Sequence, residues 1–327
     1  MFKVTSLFCG CGGVDVGTIG DFDFNQHHYD RLPCRLVYSC DIDQKAVNSH
    51  LLNFESDRTE CVDICNVESS SIPDHDILTG GFPCQSFSTV NPTKDPFDDR
   101  ANLYKQMARI AKDKQPKVFI AENVKGMMTL HGGSIFRKIL GAFDEAGFKC
   151  FHALINAADY GVPQKRERVI IVGIRKDIWE KSGDFIFPKK TNEGNWVPLS
   201  VAVPVLAIPE QKYYFSEKAV QGMRNAKNNM KRGLAQDLSQ PSLTVTSHLA
   251  KVSINSRDPV LLVDPEKDLY RRFTPREAAR IQSFPDSFKF SGSEATAYKQ
   301  IGNAIPPVMF WHIVNAVTDY LHAAGYE

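Results

Sequence analysis

The sequence has no excess of charge of either sign: 39 Lys and Arg against 38 Asp and Glu leave a formal net charge of +1. Overall electrostatics therefore express no preference for nucleic acid, membrane surface or acidic substrate, and any such preference has to be local. No apolar run approaches membrane-spanning length, and the opening MFKVTSLFCG lacks the basic start and cleavage site of a secretory signal. Cysteine is absent after residue 150; the eight lie at 9, 11, 34, 40, 61, 65, 84 and 150, several inside apolar runs. That distribution fits reduced thiols in a cytoplasm rather than a disulfide framework. The pairs 9/11 and 61/65 have no second Cys or His pair at finger spacing, so no metal site is expected. Repeats and low-complexity tracts are missing too, which excludes solenoids and disordered scaffolds.

What is present reads as a globular chain. Its 327 residues, 43% hydrophobic and 24% charged, suffice for one large domain with or without a small companion. To about residue 188, short apolar runs alternate with helix-like stretches. VTSLF, RLVYSC, HDILTGGF, KVFIAENV, FHALINA and RVIIVGI are predicted strands, bounded by Gly, Pro or charge. Between them, NLYKQMARIAKDK sets Leu103, Met107 and Ile110 on one helical face, and SIFRKILGAFDEAG does likewise until Gly147 ends it. The alternation predicts an α/β fold, a mostly parallel sheet with helices on both faces. Residues 189–266 break it with prolines at 198, 204, 209, 241, 259 and 265, and are expected to form a small separate domain. From Thr274 the helical signal returns: Thr274, Pro275 and Glu277 spell a capping box. An amphipathic tail, PPVMFWHIVNAVTDYLHAA, is expected to pack back on a large domain of residues 1–188 and 267–327.

Chemistry-bearing residues collect at the predicted strand ends. Phe8 leads into Gly10, Gly12 and Gly13 before a predicted helix. Such glycines let a ligand approach the backbone, although a plain tight turn uses the same residues. The pattern is not G-x-G-x-x-G, which argues against a dinucleotide site. Asp41, in YSCDID, ends the second strand, where it would accept a ribose hydroxyl pair; Asp63, in CVDIC, suits an adenine amino group or plain solvent. Cys84, in GGFPCQSFS, falls just past a strand's carboxyl end, where open α/β sheets bind ligands. By residue type alone it is a nucleophile or a small buried hydrophobe. Glu122 and Asn123 end another strand, within reach of a shared pocket or of solvent. Gln164, Arg166 and Arg168 alternate into the strand of VPQKRERVIIVGI, aimed at an anion, a base edge or solvent. Gly302 and Asn303 interrupt the periodic sequence ahead of Pro306 and Pro307.

These segments share one order with a known family. FCGCGG, YSCDID, VDIC, GGFPCQSFS, AENVKGM, VPQKRERV, RRFTPREAARIQSFPDSF and QIGNAIPP, spanning residues 4–307, resemble the blocks of cytosine-C5 DNA methyltransferases of the bacterial restriction-modification type. The resemblance implies an S-adenosylmethionine-dependent, Rossmann-like large domain and a small target-recognition domain. It also implies a cytosine flipped out of double-stranded DNA and a covalent bond between Cys84 and cytosine C6. Glu122 would hold N3 and the exocyclic amine, Arg168 the cytosine oxygen, with Arg166 beside it in the catalytic set. The cofactor, leaving as S-adenosylhomocysteine, would lie along Phe8, Gly10, Gly12 and Gly13. Asp41 would sit at its ribose; Ile42, Asp63 and Ile64 at the adenine; Pro83 and Asn303 at the methionine end. Gln85, Ser88 and Arg100 would belong to a loop closing over the DNA; Gln164 is assigned to the DNA side, and Gln164 and Arg166 would order the catalytic loop and neighbouring groups.

The resemblance further implies a monomer in the cytoplasm of a bacterium, an archaeon or a phage-infected cell, with a cognate restriction endonuclease sharing its recognition sequence. Local charge agrees with a DNA partner: from Lys212 to Arg232 six basic residues face one acid, Glu217. On a helix that Ser216 would cap, Arg224, Lys227 and Lys231 share a face, for phosphate contact or for solvent. Thr244 matches the family's recognition threonine, with Ser247, His248 and Lys251 as candidate base readers. Three features depart from the pattern. Cys9 and Cys11 replace small non-thiol residues and are expected to make the pocket oxidation-sensitive. Ile42 stands where an aromatic often stacks on adenine. The stretch DFDFNQHHYDRLPC is longer than usual, without an assignable role. The closest rival is a tRNA cytosine-C5 methyltransferase of the same fold, whose Cys-Phe-Thr signature is absent. A nicotinamide-dependent dehydrogenase leaves FPCQ, ENV and QKRER unexplained.

Overall fold

The computed structural model describes residues 1–83, 103–225, 235–249 and 260–327. Cys84, Gln85, Ser88, Arg100, Lys227, Lys231 and Lys251 lie outside the described residues. The strands are β1 (Phe2–Leu7), β2 (Phe22–Phe24), β3 (His27–Tyr29), β4 (Cys34–Asp41), β5 (Thr59–Cys61), β6 (Ile77–Gly80), β7 (Val118–Val124), β8 (Phe148–Asn156), β9 (Glu167–Arg175), β10 (Leu261–Asp264) and β11 (Leu269–Arg271). The helices are α1 (Gly13–Ile19), α2 (Gln44–Leu51), α3 (Leu103–Lys114), α4 (Ser134–Glu145), α5 (Lys176–Ser182), α6 (Glu217–Asn225), α7 (Pro275–Ile281), α8 (Glu294–Asn303) and α9 (Pro307–Ala323).

Seven strands form the main sheet in the order β5-β4-β1-β6-β7-β9-β8. The first five run parallel, and β9 then pairs antiparallel with both β7 and β8. All six predicted strands are present. The interiors of β1, β4, β6, β7 and β9 are buried on both faces because helices cover both, which is why they read as continuous hydrophobic runs, whereas the edge strand β8 is half-buried to exposed along most of its length. One core, containing Val4, Leu36, Ile120 and Val172, lies under α1 and α9; the other, containing Leu7, Leu78, Phe119 and Ile171, lies under α3 and α4. The capping box at Thr274 and Glu277 forms, and it also takes in Arg271, whose buried guanidinium holds the Glu277 carboxylate through two nitrogens at 2.6 and 2.8 Å.

The long stretch after the glycine turn resolves into the β2–β3 hairpin, whose Tyr29 stacks on Phe22 and meets Trp311 of α9 edge-on. It seals the end of the α1–α9 layer. Within residues 189–266 the packing divides. Val220, Met223 and Val260 build a small cluster with Tyr270, whereas Leu199, Ala202, Val203, Val245 and Leu249 join the large core.

Candidate active site at the carboxyl ends of the strands

The glycine turn lies where β1 stops. Phe8, Gly10 and Gly12 all take positive φ, at 54°, 55° and 102°. At Gly12 a Cβ would stand 2.2 Å from the Phe54 ring, so glycine is required by space as well as by backbone. Among the described residues nothing lies within 4 Å of a Cβ placed on Gly10, which leaves room above the turn. The turn is tied to the next strand: Cys9 N–H donates to the Cys40 carbonyl at 3.0 Å, and Gly10 N–H to Asp41 Oδ2 at 2.8 Å. Asp41 Oδ1 accepts from Asp43 N–H at 2.8 Å. Each carboxylate oxygen keeps a further lone pair for a hydroxyl group. Burial raises the Asp41 carboxyl above its ordinary value, with the two backbone N–H groups pulling the other way. One strand further, Asp63 accepts from Cys65 N–H at 3.0 Å and Ile64 turns into the core. Ile42 stays 69% exposed beside the site. Asn303 is exposed at the end of α8. An open glycine turn, a carboxylate at the next strand end and a capped turn beyond it fit a nucleoside-bearing cofactor.

Beneath the turn lies a pair that sequence reasoning missed. His50 Nε2 and Asp15 Oδ2 are 3.0 Å apart, both side chains fully buried, and the Cys9 thiol lies with them. Their separation of 35 residues leaves no local signal. Burial pushes the Cys9 thiol well up, with Asp15 adding to the shift, and pushes Cys11 up to about 12. Both thiols are enclosed and shifted away from the thiolate, which opposes the expected oxidation sensitivity, since thiolate character confers reactivity. Removing one member of the buried pair strands the other. His50→Ala is expected to cost roughly 3 kcal/mol of stability, read by urea unfolding; a loss under about 0.5 kcal/mol would show the pair to be dispensable.

The second half of the site joins three strands. Val124 pairs with Arg168 across β7 and β9, which sets Glu122 and Arg168 on one face. Arg168 Nε donates to Glu122 Oε1 at 2.8 Å, with only 13% and 12% of the side chains exposed. Burial raises the Glu122 carboxyl above its ordinary value, and Arg168 and then Arg166 oppose the shift. Next to it, Asn123 Nδ2 donates to the Phe82 carbonyl at 2.9 Å, so the end of β7 grips the segment leading through Pro83 to Cys84.

Arg166 and Gln164 are placed as residues that order neighbouring segments, not at substrate. Gln164, expected at DNA, is fully buried: its amide donates to Gln282 Oε1 at 2.8 Å and to the Ile281 carbonyl, and its Oε1 accepts from Val245 N–H at 2.8 Å. Arg166, expected in the catalytic set, is 3% exposed and donates to the carbonyls of Val245, Gly302 and Ala304 at 3.0–3.1 Å. Both are struts. They bind residues 242–249 to the end of α8, where a Cβ on Gly302 would stand 2.2 Å from the Thr246 carbonyl carbon. The Thr244 hydroxyl donates to the Lys165 carbonyl at 2.8 Å; Ser247 and His248 follow, half-buried and exposed. Arg224, expected at phosphate, is paired with Asp268.

Comparisons with known proteins agree with this architecture. Residues 2–319 match the family described as C-5 cytosine-specific DNA methylase. The type II methyltransferase M.NlaX of Neisseria lactamica is 35% identical over 99% of this chain and 97% of its own length. M1.ScrFI of Lactococcus lactis is 33% identical over 93% of this chain and 75% of its own. Among solved structures, the Dnmt2 methyltransferase of S. pombe superposes with a TM-score of 0.72 at 18% identity, covering 98% of this chain and 99% of that one. The Entamoeba histolytica methyltransferase EhMeth gives 0.74 at 16% identity, covering 98% of each chain. The chain belongs to the C-5 cytosine-specific DNA methylase family: it is a DNA (cytosine-5-)-methyltransferase with a Rossmann-like fold, and S-adenosylmethionine is its methyl donor.

Proposed function

We propose that this enzyme is the modification half of a type II restriction-modification system, methylating one cytosine flipped out of a specific double-stranded sequence through a covalent Cys84–C6 bond. The observation that carries this reading is the enclosed Glu122–Arg168 pair, held by β7 beside the segment that runs into Cys84. Cytosine C5 is a poor nucleophile. Addition of the Cys84 thiolate to C6 moves ring electrons toward N3 and makes C5 electron-rich. Glu122 places a proton at N3, and Arg168 both holds Glu122 and answers the charge that develops at the cytosine oxygen. When bound, S-adenosylmethionine supplies the electrophilic methyl group. Once C5 carries it, loss of the C5 proton and departure of the thiolate restore the aromatic ring.

Phe8, Gly10, Gly12, Gly13, Asp41, Ile42, Asp63, Ile64, Pro83 and Asn303 are assigned to the cofactor. The target atom is closed to an enzyme in stacked DNA, so the base leaves the helix, and residues 86–103 are assigned to closing over it. Residues 189–266 are the proposed target-recognition unit, with Thr244, Ser247, His248 and Lys251 toward the bases and Lys227 and Lys231 toward phosphate. The enzyme works as a cytoplasmic monomer beside an endonuclease of the same sequence specificity.

DNA carrying 5-fluorocytosine tests the reading, because the C5 fluorine cannot leave as a proton does. The expected result is an SDS-stable complex that requires both the cofactor and Cys84. A complex with tRNA and none with DNA would assign the chemistry to the other polymer. Bisulfite sequencing of DNA from expressing cells then gives the recognition sequence.

A further inference from the structure

We propose that Arg109 is the positioning residue of the adenine-side turn, linking cofactor affinity to the helix that follows the nucleophile segment. The proposal rests on the assignment of Asp63 and Ile64 to the cofactor. Arg109 projects from α3, whose first residue, Leu103, is the first described after the stretch containing Cys84. Its Nη2 donates to two carbonyls at once, Ile64 at 3.3 Å and Val67 at 2.9 Å, at either end of the helical turn Ile64–Asn66. Nη1 donates to Ser69 Oγ at 2.7 Å, and that hydroxyl donates on to Asp113 Oδ2 at 2.6 Å, one turn further along α3. Nε is held by Gln106 Oε1 at 2.9 Å. The guanidinium is therefore committed in its whole plane, and three of its acceptors lie on the segment 64–69.

The inner side of the same turn is fixed by Asp63, which caps Cys65 N–H. The outer side has Arg109. A planar fork spans two carbonyls and a hydroxyl with fixed spacing, whereas an ammonium group is a single point of charge that cannot reach all three. The spacing between Ile64 and Val67, and with it the direction of the Asp63 side chain, follows from the fork. Arg109 follows both the cofactor turn and the nucleophile stretch in the sequence and belongs to neither. A turn held this way binds cofactor in one shape at little ordering cost; released, it has to be reordered by the ligand.

The test is calorimetric titration of the full-length protein with S-adenosylhomocysteine, together with steady-state kinetics and DNA affinity. Arg109→Ala is expected to raise the cofactor Kd and KM about tenfold, the equivalent of one hydrogen bond to a charged group. DNA affinity and kcat at saturating cofactor stay within about twofold. Arg109→Lys recovers part of the loss. An Arg109→Ala enzyme with parental cofactor Kd overturns the proposal, as does one losing kcat, DNA affinity and cofactor affinity together, which would mark a merely structural residue. Should Arg109→Ala fail to fold, Ser69→Ala removes one arm alone, and an unchanged Kd there overturns the proposal equally. Asp63→Ala, measured alongside, separates the two layers: if it too leaves Kd unchanged, the cofactor assignment of the turn fails, whereas a weakened Asp63→Ala beside an unaffected Arg109→Ala rejects only the role of Arg109.

Discussion

Cys84→Ser abolishes methyl transfer, lowering the rate on the order of 10⁴-fold or more, while the protein still binds its cofactor. A serine hydroxyl has almost no alkoxide at neutral pH, and a neutral oxygen does not add to an aromatic ring carbon. A thiol beside cationic groups supplies the anion readily. Cofactor affinity is expected to persist because the groups assigned to it stand elsewhere, on Gly10, Asp41 and Asp63, each fixed by its own hydrogen bonds. A tritiated-methyl transfer assay with calorimetric binding reads both halves. Undiminished turnover would remove Cys84 from the reaction, and lost binding with lost activity would place it in the cofactor site instead.

Glu122→Gln is the second large effect, a loss of about 10²–10⁴-fold in the rate of methyl transfer, because glutamine keeps the shape and gives up the transferable proton. The structure also fixes the direction of its pH dependence. Burial raises the Glu122 carboxyl above the usual carboxylate range, against the pull of Arg168. Below the raised pKa the group carries its proton; as pH rises through it, the proton donor is lost. The parent enzyme should therefore lose rate on the alkaline side through this group, while the acid side is limited by formation of the Cys84 thiolate, giving a bell. Glu122→Gln should lack the alkaline limb attributable to the carboxyl. A single-turnover rate profile identical to that of the parent would sink the assignment.

The large fold was legible because its central strands are buried on both faces and its helices are amphipathic, both of which leave a signature within a dozen residues. The capping box at Thr274 and Glu277 was legible for the same reason, being complete in four residues. The glycine turn, Asp41 and Glu122 could be placed because strand ends converge on one edge of a parallel sheet. The depth at which Gln164 and Arg166 lie was not legible because alternation along the chain sets a face but not what covers it. Lys165 N–H donates to the Ser242 carbonyl and Ser242 N–H to the Pro163 carbonyl. A segment almost 80 residues away thus closes over both side chains, and burial turned two expected reactive or reading groups into struts. The β2–β3 hairpin was missed for want of glycine: Asn25 and Gln26 both take positive φ in a two-residue loop, a conformation usually announced by Asn-Gly. Asp15 and His50 were invisible because nothing in either local pattern asks for a buried partner.

The pairing of α1 with α9 has a consequence for the order of assembly. Almost all of α1, Gly13 to Thr18, is buried, and Gly17 packs so tightly that a Cβ there would stand 2.5 Å from the Pro307 carbonyl oxygen. The ribosome makes the glycine turn almost 300 residues before the helix that roofs it leaves the exit tunnel. Such long-range closure slows folding, and the nascent chain displays an uncovered apolar helix for most of its synthesis. The glycine turn is therefore made long before it is completed, and chaperone dependence during translation should track α9 rather than the sheet.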